Sequence, residues 1–170
     1  AKSLSVVTER VAGKPLPEVL VNYRNIDQVH FRLVPYEWKK ALKAGNYDPD
    51  QLPNENGMNQ DFERGLLLSA KPAAEWSLTL PPTPDYLGKT ASCTVPQVPA
   101  GFYYLIASWK KDFGNGGNNC MKYTAMWVTG LSLITRSGDG VVDGCVTDNE
   151  TGYPISDAKI AFYSRKYENN

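Results

Sequence analysis

The sequence lacks several features that mark broad functional classes. It contains no run of about 18 consecutive apolar residues, the length a transmembrane helix needs, so we predict no transmembrane segment in this chain. Its 18 Lys and Arg residues equal its 18 Asp and Glu residues, which leaves a formal net charge of zero. Because nucleic-acid binding requires a basic face, we expect no nucleic-acid partner.

Cysteine and histidine are also scarce. Cys93, Cys120 and Cys145 are too far apart in sequence for a disulfide scaffold or a paired-cysteine metal site, although one Cys93–Cys120 bridge stays open. The single histidine, His30, shares the polar face of a predicted strand with Arg32 and has no catalytic motif beside it. We therefore predict that the chain is not an enzyme and has no catalytic residues, no metal site and no cofactor.

The sequence is rich in short segments that alternate apolar and polar residues, separated by Pro and Gly. Residues 16–23 and 29–34 are two such segments, and the short RNIDQ stretch between them predicts a hairpin. Further strands are predicted at residues 3–7, 76–80, 90–95, 102–109, 122–128 and 131–135. This density of short strands predicts an all-β, immunoglobulin-like β-sandwich.

One region departs from the strand pattern. Residues 36–44 are good helix formers, and in residues 59–70 Phe62 and Leu66 recur at helical spacing. A loop rich in Asn, Asp, Pro and Gly separates them. We predict a helical insertion at about residues 36–71 of the sandwich.

The strand PAGFYYLIASWK, at residues 99–110, is apolar on both faces. A two-layer sandwich buries only one face of each strand. We therefore expect the insertion, through Phe62 and Leu66, to cover the second face of a central strand. The alternative is that Tyr103 and Trp109 lie on the surface as amphipathic residues.

Four side chains are predicted to be structural. Tyr103 follows the Pro99-Ala-Gly101 turn, where β-sandwiches often place a corner tyrosine whose hydroxyl bonds the preceding backbone. Trp76 and Phe102 are predicted to support the sandwich, as is Leu66.

The C-terminal part changes character after about residue 130. Strands are predicted at residues 141–147 and 158–163, on either side of the turn DNETGYPI. Two strands cannot support a core alone. We therefore predict a first domain at residues 1–130 and the truncated start of a second β-sandwich at residues 131–170.

Two patterns resemble known proteins. The tail GCVTDNETGYPISDAKIAFYSR resembles the opening of small extracellular β-sandwich modules. The order of NYRNIDQVHFRLV, KPAAEWSLTLPPTPDYLGKTASCTVPQVPAGFYYLIASWKKDF and YTAMWVTGLSLITR is similar to the N-terminal region of bacterial alpha-2-macroglobulin-like proteins. The resemblance spans about residues 16–165.

The resemblance implies a macroglobulin-like fold within a large secreted or membrane-anchored protein of the cell envelope, outside the cytoplasm. Such proteins trap proteases, and many carry a thioester in a Cys-Gly-Glu-Gln motif, which is absent here. The implied role is a non-catalytic scaffold or interaction domain of a protease inhibitor. Its partners would be the neighbouring domains of the parent chain and, through the full-length protein, target proteases.

Aromatic residues support an alternative, an extracellular glycan-binding or adhesion module. Such a module presents flat aromatic side chains on an exposed face, whereas a scaffold packs them against aliphatic residues. The candidates are Tyr36, Trp38, Tyr47, Tyr86 and Trp109.

Overall fold

A computed structural model describes residues 1–39, 60–84, 87–114 and 119–163, with side chains omitted at residues 60–64. The described chain divides into two compact units, with the first ending at Thr129 and the second beginning at Gly130. Among the described residues, no helix has both the length and the apolar character needed to cross a membrane.

The first unit is an all-β sandwich of two sheets. One sheet has the strand order β1-β3-β6 and the other has the order β2-β8-β7-β4-β5. The strands are β1 (Ser3–Val7), β2 (Val11–Ala12), β3 (Glu18–Arg24), β4 (Gln28–Pro35), β5 (Ala74–Thr79), β6 (Lys89–Thr94), β7 (Gly101–Ser108) and β8 (Met121–Val128).

The inner core lies between these sheets and follows from the alternation of apolar residues along each strand. In β3, Val19, Val21 and Tyr23 point inward and are buried, while the residues between them are exposed. They meet inward-facing side chains of the second sheet, among them Phe31 and Leu105. Burying a side chain of this kind contributes about 1.5–3 kcal/mol.

The hairpin predicted from β3 and β4 is wrong. β3 pairs with β1 and β6, whereas β4 pairs with β5 and β7, so the two strands belong to different sheets. The connection between them carries the chain from one sheet to the other. In it, Ile26 is buried and Asn25 adopts a left-handed φ of 53°. The Asn25 N–H donates to the Thr83 hydroxyl at 2.9 Å, which fixes this turn.

Both faces of β7 are buried. Tyr103, Leu105 and Ala107 belong to the inner core, and Tyr103 is only 5% exposed. The opposite face forms a second cluster, here called the outer core. Its buried members are Val34, Leu67, Phe102, Tyr104, Ile106 and Phe113.

The insertion supplies part of this outer core. Helix α1 (Gln60–Ser69) contributes Leu67, and Leu68 packs against the cluster. At the insertion's start, Tyr36 donates its N–H to the Phe102 carbonyl at 2.9 Å, and just beyond its end Ala73 donates to Leu33 at 2.8 Å. Residues 40–59, and the side chain of Phe62, lie outside the described residues.

The prediction for Leu66 needs correction. Leu66 is 53% exposed, whereas its neighbour Leu67 is 4% exposed and lies in the outer core. Three consecutive leucines, residues 66–68, span about 200° of a helix, and only a narrower stripe of about 100° faces a core. The sequence spacing could not decide which leucine faces inward.

The second unit contains a hairpin of β9 (Leu131–Gly138) and β10 (Val141–Asp148). The strand predicted at residues 158–163 is wrong, since no strand is assigned there. Alternation alone does not produce a strand without a partner, and among the described residues only Pro154 forms an isolated bridge, to Thr147.

The turn after β10 explains the DNETGYP pattern. The Asp148 carboxylate accepts hydrogen bonds from the Thr151 N–H at 2.8 Å, the Thr151 hydroxyl at 2.9 Å and the Glu150 N–H at 3.0 Å. The two bonds from Thr151 and then that from Glu150 lower the pKa of this carboxyl. Gly152 has a φ of +71°, which other residues rarely adopt. The pattern is therefore turn chemistry.

Candidate functional site

A groove of about 280 Å³ lies on the five-stranded sheet, beside its end strand β5. We call it the β4–β5 groove. Its polar and aromatic lining includes His30, Arg32, Glu75, Ser77, Lys111 and Phe113.

Strand register brings the first four of these side chains together. In the antiparallel β4–β5 pair, His30 lies opposite Ser77 and Arg32 lies opposite Glu75. Residues at alternate positions share a face of a sheet, so these four lie on one face. Phe31 and Trp76 face the other way and stack with ring centroids 5.1 Å apart.

The segment after β7 supplies the rest of the groove. Phe113 is buried in the outer core and has a left-handed φ of 53°. Such a backbone conformation costs roughly 1–2 kcal/mol for a residue with a side chain. The burial of its ring and the hydrogen bond from its N–H to the Lys110 carbonyl, at 3.3 Å, offset this cost.

Arg32 is the most constrained charged group in the groove. Its Nε donates to Glu75 Oε1 at 2.6 Å, and its Cζ lies 4.2 Å from the centroid of the Phe113 ring. The Arg32 side chain is 24% exposed, so it is half-buried and still reachable from solvent. Neither contact uses the two terminal nitrogens, Nη1 and Nη2.

The pKa of His30, which lines the groove, is shifted. Burial first, and the positive charge of Lys111 second, lower the pKa of its imidazole below the usual value. Both effects disfavour the protonated ring, and the effect of Lys111 shows that positive charge lies near this end of the groove.

His30 and Ser77 are neighbours, but they do not form a nucleophile–base pair. Within the described residues the His30 imidazole makes no side-chain hydrogen bond, and the Ser77 hydroxyl accepts one from Gln28 Nε2 at 3.3 Å. Nor does the described part of the chain contain a group of three His, Cys, Asp or Glu residues placed to hold a metal ion. What the groove does offer is two cationic side chains, Arg32 and Lys111, of which Arg32 is held in place by Glu75 and Phe113.

The predicted structural residues lie apart from this polar face. The Tyr103 hydroxyl donates to the Pro99 carbonyl at 2.8 Å, which is the bond expected of a corner tyrosine. A Cβ at Gly101 would lie 3.3 Å from Cε2 of the Tyr103 ring, a tight contact, so glycine leaves the ring more room here. Trp76 donates its Nε1–H toward Cys93 Sγ at 3.5 Å.

Phe102 and the described aromatic candidates pack into the cores. The rings of Tyr36 and Tyr104 meet edge to face at 5.2 Å, and Trp38 meets Trp127 at 5.3 Å. Phe102 lies 4.6 Å from Trp127, and Trp109 packs against the inner core. These contacts are those of a core rather than of an exposed platform, while Tyr47 and Tyr86 lie outside the described residues.

The cysteines are free thiols. Burial raises the pKa of the Cys93 thiol, which keeps it in its less reactive protonated form.

Sequence reasoning found His30 and Arg32 on the polar face of a strand but missed Phe113 and Lys111. No local motif links these residues to β4. One pattern could have indicated Phe113: an apolar Phe directly after the polar run Lys110-Lys111-Asp112 predicts that its ring is buried against a nearby part of the fold.

No protein-family model matches this chain, and no curated protein matches it either.

Proposed function

We propose that this chain is a non-catalytic scaffold and interaction domain of a bacterial alpha-2-macroglobulin-like protease inhibitor, located outside the cytoplasm. The proposal takes its family from the order of sequence patterns described above. The scaffold role is inferred from the sandwich, whose central strand β7 is buried on both faces.

The double burial of β7 is the observation that carries the scaffold role. Every side chain from Phe102 to Ser108 is buried, so this strand belongs to two cores at once. Protein cores transmit strain because they are close-packed. A domain built in this way suits a part that must keep its shape while other parts of a large protein move.

The local geometry of β7 supports the family. The helical insertion follows β4, after the segment NYRNIDQVHFRLV that carries part of the resemblance. The corner bond of Tyr103 is the one expected of a β-sandwich in general. Within the described residues, the groove beside β5 contains cationic donors and no nucleophile hydrogen-bonded to a base. A scaffold role requires no such pair.

An inhibition titration tests this function. The purified chain is titrated against trypsin-like and elastase-like endopeptidases, with an intact macroglobulin-type inhibitor as positive control. We expect no inhibition, no peptide cleavage and no incorporation of methylamine. Stoichiometric inhibition at micromolar chain would contradict the scaffold role, and tight binding on a glycan array would favour the glycan-binding alternative.

The family is tested separately by the reading frame that encodes this chain. We expect that frame to encode further β-sandwich domains of similar size. A frame that encodes residues 1–170 and nothing else would contradict the proposal.

A further inference from the structure

The Arg32 guanidinium is held through its Nε, which leaves its Nη1 and Nη2 nitrogens available for a ligand. Glu75 accepts from Nε at 2.6 Å, and the guanidinium carbon Cζ lies over the Phe113 ring, 4.2 Å from its centroid. The Nη1 and Nη2 nitrogens carry four N–H donors, and within the described residues none of these donors has a partner. A guanidinium fixed in this way loses little conformational freedom when it binds an anion.

We propose that the β4–β5 groove binds the carboxylate of an acidic peptide segment, through the two Nη nitrogens of Arg32 with support from Lys111. A planar carboxylate matches the fork of the two Nη groups and accepts two parallel hydrogen bonds. This binding site goes beyond the scaffold role, which does not require it.

The charge of the groove favours an anion. Arg32 and Lys111 contribute two positive charges and Glu75 contributes one negative charge, so the groove carries one net positive charge while His30 is neutral. The whole chain has a formal net charge of zero, so this charge is local. One carboxylate neutralises it.

The position of β5 favours a peptide over a free small acid. β5 ends the five-stranded sheet, and within the described residues no strand pairs with its outer edge. An extended peptide that adds to this edge gains backbone hydrogen bonds. The added strand lies two strand spacings, roughly 9.6 Å, from β4. Arg32 already reaches across to Glu75 on β5, so the acidic side chain of the peptide has to span only the remainder.

His30 is a built-in reporter, because it is the one histidine of the chain and lines the groove. Its imidazole Cε1–H gives a single NMR signal. A bound carboxylate favours the protonated ring, so it raises the pKa of His30 from its lowered value. The raised pKa and the shifted signal both measure binding.

The experiment titrates the protein with N-acetyl-tetraglutamate amide, using the tetraglutamine peptide as the matched uncharged probe. We expect a saturable shift of the His30 signal and a raised pKa with tetraglutamate alone. Succinate and inorganic phosphate are titrated in parallel. If succinate binds as tightly as the peptide, the proposal that the ligand is a peptide is wrong. If phosphate saturates the site and tetraglutamate does not, the proposal that the site binds a carboxylate is wrong.

Variants assign the binding to the groove. Arg32→Gln is expected to raise the Kd for tetraglutamate about tenfold, the loss typical of a charged hydrogen-bond pair. Arg32→Lys keeps the charge but loses the fork, so it also weakens binding. Lys159→Gln, in the second unit, removes the same charge elsewhere and should leave Kd unchanged.

The variants also have a folding control. Lys111→Gln changes an exposed side chain, so it keeps the fold, and we expect it to raise Kd about twofold to threefold through lost charge attraction. Equal effects of Arg32→Gln and Lys159→Gln, or no saturation up to about 10 mM peptide, would overturn the proposal.

Discussion

The two faces of β7 are equally buried but are covered in different ways. The inner face, with Tyr103 and Leu105, meets a second sheet whose strands are fixed by backbone hydrogen bonds. The outer face, with Phe102 and Tyr104, meets side chains of an insertion tied to β7 through the Tyr36–Phe102 hydrogen bond. The inner cover is therefore part of the sandwich itself, whereas the outer cover depends on side-chain packing.

The tyrosine hydroxyls on the two faces of β7 also differ, because one has a hydrogen-bond partner and the other has none within the described residues. Tyr103 donates to Pro99, as a corner residue does. The hydroxyl of Tyr104 is buried and has no hydrogen-bond partner within the described residues. An unpaired buried hydroxyl is destabilising, so the outer core gains its stability from apolar and aromatic contacts.

The largest expected effect tests the outer cover. Leu67→Ala should lower the free energy of unfolding by about 2–5 kcal/mol, because it removes a buried side chain from the outer core. The matched control is Leu66→Ala, on the adjacent and exposed position, which should change it by less than about 0.5 kcal/mol. Urea unfolding of both variants measures the difference. Equal losses at the two positions would show that the helix does not present Leu67 to the core.

Removing the hydroxyl of Tyr103 and removing that of Tyr104 are expected to change the stability by smaller amounts and in opposite directions. Tyr103→Phe removes the bond to Pro99 and should destabilise the protein by about 1 kcal/mol. Tyr104→Phe removes an unpaired hydroxyl and should be neutral or stabilising by up to about 1 kcal/mol. Thermal unfolding of the pair measures both signs. If Tyr104→Phe destabilises as much as Tyr103→Phe, the Tyr104 hydroxyl has a partner and the contrast fails.

Much of this comparison could be predicted from the sequence. The unbroken apolar run at residues 102–107 indicated burial on both faces, and the Pro-Ala-Gly turn placed Tyr103 at a corner. Both signals are local, since they depend on neighbours in the chain. The sequence could not say which face meets the second sheet, because both faces have similar hydrophobicity.

The errors arose where the outcome depends on distant residues. β3 and β4 look like a hairpin because they are close in sequence, but buried Ile26 carries the chain from one sheet to the other. Leu66 and Leu67 are equivalent in composition, and tertiary packing alone separates them. The β4–β5 groove was not predicted either, because Phe113 reaches Arg32 through the fold and not through any motif.

The most direct test of the central claim, that the insertion helix covers the outer face of β7, is an NMR measurement of proximity. Nuclear Overhauser effects are recorded from the Leu67 methyl groups, with the Leu66 methyl groups as the internal control. We predict cross-peaks from Leu67 to side chains of the outer core, the cluster that contains Phe102, Tyr104 and Ile106, and none from Leu66. Cross-peaks to the outer core from Leu66 and not from Leu67 would contradict the claim.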